Sequence, residues 1–347
     1  MERELIKRKK RGLLRRDESG QVLVLVALCA VFLIGMVALV VDISHGLVVR
    51  NELQNAADAS ALAGAGKLFN PSPGPNWSVA KNAASSSITW NRSDGKSLGT
   101  CTADYGVWDR SQNPAVFVKD STAFDTTHDP AVRVQVSRAG VENDGPVPTW
   151  FARIFGINSI PVGPVSAVAV VSNPGLVTPG PLLPVAIGQA MAANFNNYKD
   201  SAHTFQIGSS YHYPISEAGQ WSSLLVDSNN VPTIQDLIQN GTPQQIKIGD
   251  KIWIQPGTKN TLYDNKNQPS ISWFEGKDVF LPVVNVVLSE TTHEFATVVG
   301  FIGFHVVRAT GGSTKTIEGY FVSGFTAPNS GGSGPNYGAW TPPRLVL

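Results

Sequence analysis

A run of 21 residues, 21–41, reads QVLVLVALCAVFLIGMVALVV without one formal charge, and it limits the possible folds more than any other stretch of the chain. At about 1.5 Å of rise per residue, a helix of that length covers the roughly 30 Å hydrocarbon layer of a bilayer. In lipid every backbone polar group must be satisfied within its own segment, which a helix does. Gly35, near the middle, is acceptable because glycine is more frequent in membrane helices than in soluble ones. The core helix of a soluble protein seldom runs this far uncharged. A cleaved secretory signal has a shorter apolar core, about 7–15 residues, with a small-x-small site promptly after it. Here the next such site, Ala57-Asp58-Ala59, lies well beyond the run. The expectation is a retained transmembrane helix over 21–41.

Charge placement gives the expected orientation. Lys7, Arg8, Lys9, Lys10, Arg11, Arg15 and Arg16 precede the run, whereas only Arg50 and Lys67 come after it in the next 26 residues. The positive-inside rule then keeps 1–20 as a basic cytoplasmic N-terminus and exports the residues beyond Val41. The whole chain has 27 basic and 26 acidic residues; 1–20 hold eight and four of them, leaving the other 327 residues at −3. Near-neutrality is thus a sum over two compartments. The same cluster could serve nucleic-acid binding, but beside a span it reads as a topology signal attracted to anionic lipid, so membrane lipid is an expected partner and nucleic acid is not. Cys29 falls in the span and Cys101 outside it, which leaves no pair of exported cysteines to bridge. Cys101 reads as a small buried apolar residue.

Helical character continues past the span. No proline occurs between Gln21 and Pro71, and 42–68 is rich in alanine. Gly64 and Gly66 loosen the end, and Pro71 and Pro73 stop it. Leu53, Ala56, Ala57, Ala59, Ala61, Ala63 and Gly64 form a small-residue stretch expected to be a packing surface, either on the chain's own body or between protomers.

The residues that carry this pattern also resemble a known family. Val41-Asp42, Arg50, Leu53-Gln54, Ala56-Ala57-Asp58-Ala59 and Ala61-Leu62-Ala63-Gly64-Ala65 are similar to the N-terminal region of TadE/TadG-like proteins of the Tad (tight adherence) Flp pilus-assembly system. The stretch 131–171, with VPTWFARIFGI between two strands, resembles that family too. The resemblance implies a non-enzymatic bacterial inner-membrane protein, crossing once, its bulk periplasmic or extracellular, partnered with other Tad/Flp assembly proteins. It implies a minor-pilin-like or accessory assembly role acting through protein–protein packing. Prepilin-type processing in such relatives cuts after a glycine, here between Gly20 and Gln21, and favours a glutamate at the fifth mature position, where Leu25 stands. Cleavage there and an uncleaved anchor both stay open. Some relatives carry a D-x-S-x-S metal motif; Asp42-Ile43-Ser44-His45-Gly46 lacks the second serine, so no metal is expected.

The fold class expected is α+β: a long N-terminal pilin-like transmembrane helix, then an α+β lobe at 75–173, a β-rich lobe at 174–326 and a Gly/Pro-rich tail at 327–347. Within the first lobe, 78–87 and 148–155 read as short helices, and 105–109, 116–119, 131–137 and 165–171 as strands. Val132, Val134 and Val136 alternate with Arg133, Gln135 and Ser137, marking a half-buried strand, and the all-apolar 165–171 a central one. Asn173-Pro174-Gly175 reads as a hinge or boundary. In the second lobe, 183–187, 204–207, 251–254, 279–287, 295–307 and 317–322 read as strands and 232–239 as a helix. Phe301, Phe304, Phe321 and Phe325 are expected core residues, and most of the eight tryptophans are expected to pack. The tail is expected to be loose, tethering 344–347 as an edge strand.

Chemistry is sparse. The six histidines show no metal-ligand spacing. Glu290–Glu294 is a polar cluster that reads as a solvated turn, and Gly311–Thr316 a hairpin without P-loop spacing. Asp264-Asn265-Lys266-Asn267 carries a lysine and lacks the final glutamate of a calcium loop, and no nucleophile elbow is present. No catalytic residue, cofactor, metal or small-molecule substrate is expected. The alternative to a pilus-assembly role is an exported adhesin or ligand-binding module on a membrane anchor.

Overall fold

The computed structural model describes residues 18–69, 74–123, 125–180, 182–208, 219–226, 228, 230–255, 259–286, 288 and 293–347. Most of the basic flank 1–20, Pro71 and Pro73, His212, the Pro-Gly turn at 256–257, and Glu290–Thr292 of the polar cluster lie outside the described residues. Helix α1 (Glu18–Ala65) runs unbroken for 48 residues, about 70 Å. After it comes α2 (Trp77–Ser87), whose first turn is capped by Asn76 accepting from the Val79 N–H. Next are the hairpin β1 (Arg92–Ser93) and β2 (Lys96–Ser97), then β3 (Thr102–Asp109), β4 (Val116–Lys119) and β5 (His128–Arg138). A second short hairpin, β6 (Val147–Pro148) with β7 (Ser159–Ile160), leads into β8 (Val162–Val170). By its contacts the described chain forms two compact units: 18–56, Thr89–Thr100 and Val136–Val165 in one, and Ala57–Ile88, Cys101–Gln135 and Ser166–Leu347 in the other.

In the first unit, α1 is apolar on every side from Val22 to Val40, and its large side chains there are exposed. A helix without a polar face has lipid as its natural solvent. Among the described residues it is one helix long and apolar enough to cross a membrane. Beyond Val41 the character changes: Asp42, Val49, Leu53 and Ala56 are buried along one face at helical spacing.

In the second unit, a five-stranded sheet in the order β21-β8-β5-β3-β4 uses β21 (Arg344–Leu345) as its edge. Val132 and Val134 are fully buried on one face of β5, while Arg133 lies on the other, directly opposite Asp104 of β3. Arg133 Nη2 donates to Asp104 Oδ2 at 2.7 Å, Lys119 Nζ lies 2.8 Å from Oδ1, and Arg133 also sits over the Phe117 ring. The charged face is therefore a paired one.

The remaining elements are β9 (Leu176–Val177), β10 (Val185–Gly188), α3 (Gln189–Ala193), β11 (Phe205–Gly208), β12 (Gly219–Leu224), α4 (Val231–Asn240), β13 (Ile246–Lys247), β14 (Lys251–Gln255), β15 (Lys277–Val284), β16 (Glu294–Thr310), β17 (Thr316–Phe321), β18 (Phe325–Thr326), β19 (Ser330–Gly331) and β20 (Ala339–Trp340). The 17-residue β16 pairs with β14 through 294–297, with β15 through 298–306 and with β17 through 304–310. Since β15 also pairs with β10, β10 with β12, and β12 with β14, the ladder β16-β15-β10-β12-β14 closes on itself. Closure leaves no free edge in that ring. Phe301, Phe304 and Phe321 are buried in its core with Trp221 and Phe280, and Phe325 packs beside them half-buried.

Several expectations need correction. The 148–155 helix is only a 3-10 turn, Ala152–Phe155, because Pro148 belongs to β6 and the Thr149 N–H bonds to the Asn158 carbonyl, closing the hairpin. The tail is not loose: Ala327, Ala339, Trp340 and Thr341 are buried, and the Trp340 ring stacks on Phe69 at 3.6 Å. Asn173 is buried as well, its side chain donating to the Ala339 carbonyl, so the Asn-Pro-Gly turn is tied down. The tryptophans follow the expectation in the main: Trp221 and Trp340 are fully buried and Trp77, Trp108 and Trp253 half-buried, whereas Trp90, Trp150 and Trp273 are exposed. Cys101 is half-buried, and that burial raises its thiol pKa. Strand β12 had no counterpart among the expected strands; it begins beside residues outside the described set.

Candidate functional site

The most organised cluster of polar contacts in the first unit lies where α1 leaves its apolar stretch. Asp42, the first charged residue after 21–41, is 2% exposed, and its carboxylate accepts three backbone N–H groups. Trp150 donates to Oδ1 at 2.8 Å; Phe151 and Ala152 donate to Oδ2 at 3.0 and 2.6 Å. These are the donors that a helix leaves unpaired at its first turn, so Asp42 caps the 3-10 turn from another element. Gly156, at φ +81°, ends that turn in a conformation that glycine adopts without strain. Burial alone would raise the Asp42 carboxyl. The N–H donors of Trp150, Ala152 and Phe151, with His45 beside them, outweigh it and hold the pKa below the ordinary carboxylate value.

One turn further, His45 stacks on the Trp150 ring with centroids 4.8 Å apart and planes 11° from parallel. Its Nε2 lies 3.0 Å from Asp94 Oδ1 in the β1–β2 turn. Asp94 also donates its backbone N–H to Glu52 Oε2 at 2.6 Å, and Arg138 Nη1 donates to its Oδ2 at 3.3 Å. The Arg138 side chain is 3% exposed and donates to the carbonyls of Ser93 and Gly145 as well. A buried guanidinium is tolerable only when paired in this way. Asp42, His45 and Glu52 thus fix the β1–β2 hairpin and the 150–152 segment on one face of α1.

The small-residue stretch divides by face. Leu53, Ala56, Ala57, Ala61 and Gly64 are buried, Ala63 is half-buried, and Ala59 is exposed. Gly64 lies so close to α2 and β5 that an added Cβ would meet the Ala84 Cβ at 2.8 Å, the Ala80 carbonyl at 2.9 Å and Val132 Cγ1 at 2.9 Å. The buried side of the stretch packs on the chain itself. The opposite strip, Val48, Asn51, Asn55 and Ala59, is exposed at i, i+3, i+7 and i+11. Gly20 and Gln21 lie within the helical backbone of α1.

Little here could perform bond-making chemistry. Among the described residues no group of three or more His, Cys, Asp or Glu could hold a metal ion. A cavity of about 480 Å³ in the second unit is lined mainly by Leu182, Leu183, Leu237, Ile238, Phe274 and Phe280. The one ionisable group in its lining, Asp278, already bonds His305 Nδ1 at 2.6 Å. Residues 311–315 form the turn of the β16–β17 hairpin, with Thr310 opposite Thr316.

Sequence reasoning marks VPTWFARIFGI as family-like but does not foresee its tie to Asp42. The available signal was a lone acid at the end of the span and a segment with its backbone donors free. No curated protein and no solved structure matches the chain. Two family models do: residues 20–67 match one described as putative Flp pilus-assembly TadE/G-like, and residues 63–170 match one described as putative Tad-like Flp pilus-assembly. The second stretch ends with β8, so every element from β9 to β21 lies beyond it. Residues 20–170, the part that holds α1, the Asp42 junction and β1–β8, are thus similar to Flp pilus-assembly families, TadE/G-like over 20–67 and Tad-like over 63–170.

Proposed function

We propose that the protein is a non-enzymatic, minor-pilin-like or accessory component of Flp pilus assembly, held in the inner membrane by 21–41 with 1–20 in the cytoplasm. The observation that carries this reading is the 48-residue helix, half of it apolar on every side, in a stretch matched to the family. Such a helix can present one exported strip to partner helices while its base stays in lipid. That strip is Val48, Asn51, Asn55 and Ala59, since Leu53, Ala56, Ala57, Ala61 and Gly64 are taken up by the chain's own packing. Small and short polar side chains allow close helix approach. Removal of the chain should abolish or sharply reduce pili and surface adherence, and the full chain supplied in trans should restore both. Unchanged pilus number and adherence would reject the assembly role.

The closed β16-β15-β10-β12-β14 ring lies outside both matched stretches, which favours a second, separable role as a binding module. Saturable binding of the detergent-solubilised full chain to a host or bacterial surface, without other pilus proteins, is the measurement that separates the two readings.

A further inference from the structure

We infer that the segment 150–157 is a second membrane contact, an apolar wedge that enters the interface of the leaflet where the anchor emerges. Its residues are Trp150, Phe151, Arg153, Ile154, Phe155 and Ile157, all exposed, with Ile154 at 81% and Phe155 at 71%. Apolar side chains gathered this closely would be costly in water, since large contiguous apolar patches are rare on soluble surfaces. The occupant is fixed by position. The segment hangs by three backbone hydrogen bonds from Asp42, the residue directly after the 21-residue uncharged run. The Trp150 ring lies against His45 while the N–H groups of Trp150, Phe151 and Ala152 all meet Asp42, so the segment is fixed at the residue next to the span. One turn further towards the span, Ala38 and Val41 are half-buried while Leu39 and Val40 stay exposed, as they would be beside a segment lying on that face.

The composition suits lipid headgroups and upper acyl chains. Arg153 is the only charged side chain between Asp144 and Lys199, and no acid occurs in that interval. Tryptophan and phenylalanine with a single arginine match the side chains found about 5–10 Å deep in the interface, where an apolar body and a cationic tip are both satisfied. Burial of the polar Asp42 is consistent, because its carboxylate is fully engaged and presents no bare charge to the interface. The wedge would fix the rotation and tilt of α1, which a lone helix in a bilayer does not determine.

The inference rests on the reading of 21–41 as a lipid-spanning anchor, and the test separates the two. The full chain carrying Cys29→Ser and Cys101→Ser receives Ile154→Cys or, independently, Phe155→Cys, and is labelled with an environment-sensitive fluorophore in phosphatidylcholine–phosphatidylglycerol vesicles. Both probes should shift to the blue and be quenched more by shallow than by deep nitroxide lipids. A probe at Asn55→Cys should stay water-like, and one on native Cys29, in a Cys101→Ser chain, should be quenched by the deep nitroxide. Water-like emission at 154 and 155 with Cys29 quenched overturns the wedge alone. An unquenched Cys29 overturns the anchor reading. Probes at 154 and 155 that become shielded only when another pilus-assembly protein is added would assign the segment to a protein partner and also overturn the lipid contact.

Discussion

Asp42 and Gly64 show how single positions on α1 carry different duties. Asp42 joins two segments more than a hundred residues apart through three charge-assisted hydrogen bonds. Asp42→Ala leaves the donors of Trp150, Phe151 and Ala152 without their acceptor. Amide exchange at those three residues should rise sharply while the β-rich core keeps its protection; unchanged exchange would mean that the carboxylate does not hold the segment. At Gly64 two effects oppose each other. Alanine improves helix propensity by about 1 kcal/mol over glycine. Yet its Cβ would sit 2.8–2.9 Å from two backbone-supported neighbours and Val132, and overpacking costs typically about 1–3 kcal/mol. The clash should win, so Gly64→Ala lowers the apparent Tm by a few degrees, whereas Ala59→Gly, on the exposed strip, costs only its propensity. A raised Tm for Gly64→Ala would contradict the close approach.

At the scale of elements, the sheet around β5 depends on a paired charge. Burial pushes the Asp104 carboxyl up, but hydrogen bonds and charge from Arg133 and Lys119 more than reverse this and leave it lowered. A lowered folded pKa stabilises the sheet above the unfolded value near 3.9 and loses that contribution as pH falls through the folded value. Thermal stability should therefore drop on acidification below about pH 4, and the drop should be smaller in Asp104→Asn. Equal drops in both chains would remove the pair as its cause. These elements were legible in differing degrees. The alternating valines of β5, the uncharged run of α1 and the 311–315 hairpin declare themselves by period and composition. The 150–157 segment did not, because the β6–β7 hairpin cuts the helix that propensity alone would have drawn to a 3-10 turn, and the carboxylate that caps it stands more than a hundred residues away. Trp340 and Tyr337 were hidden for a related reason: a Gly/Ser/Pro-rich tail reads as solvent-exposed, and only the tertiary fold shows its rings covered.

For the whole molecule, the charge-poor composition reflects where the surfaces go. An all-apolar span, an apolar 150–157 segment with one arginine, and a closed strand ring each need few charges. The family-matched 20–170 supplies the anchor and the Asp42 junction; the elements after it supply a separate, well-filled core. Under the proposed function the chain acts in pilus assembly by offering the Val48–Asn51–Asn55–Ala59 strip of α1 to partner helices. The sharpest test of that role is a photo-crosslinking residue placed at Asn55 in living, piliated cells. Covalent adducts with pilus-assembly proteins are expected, and they should disappear when the pilus genes are deleted. Adducts that persist unchanged in such a strain, or none at all in cells that still make pili, would contradict it.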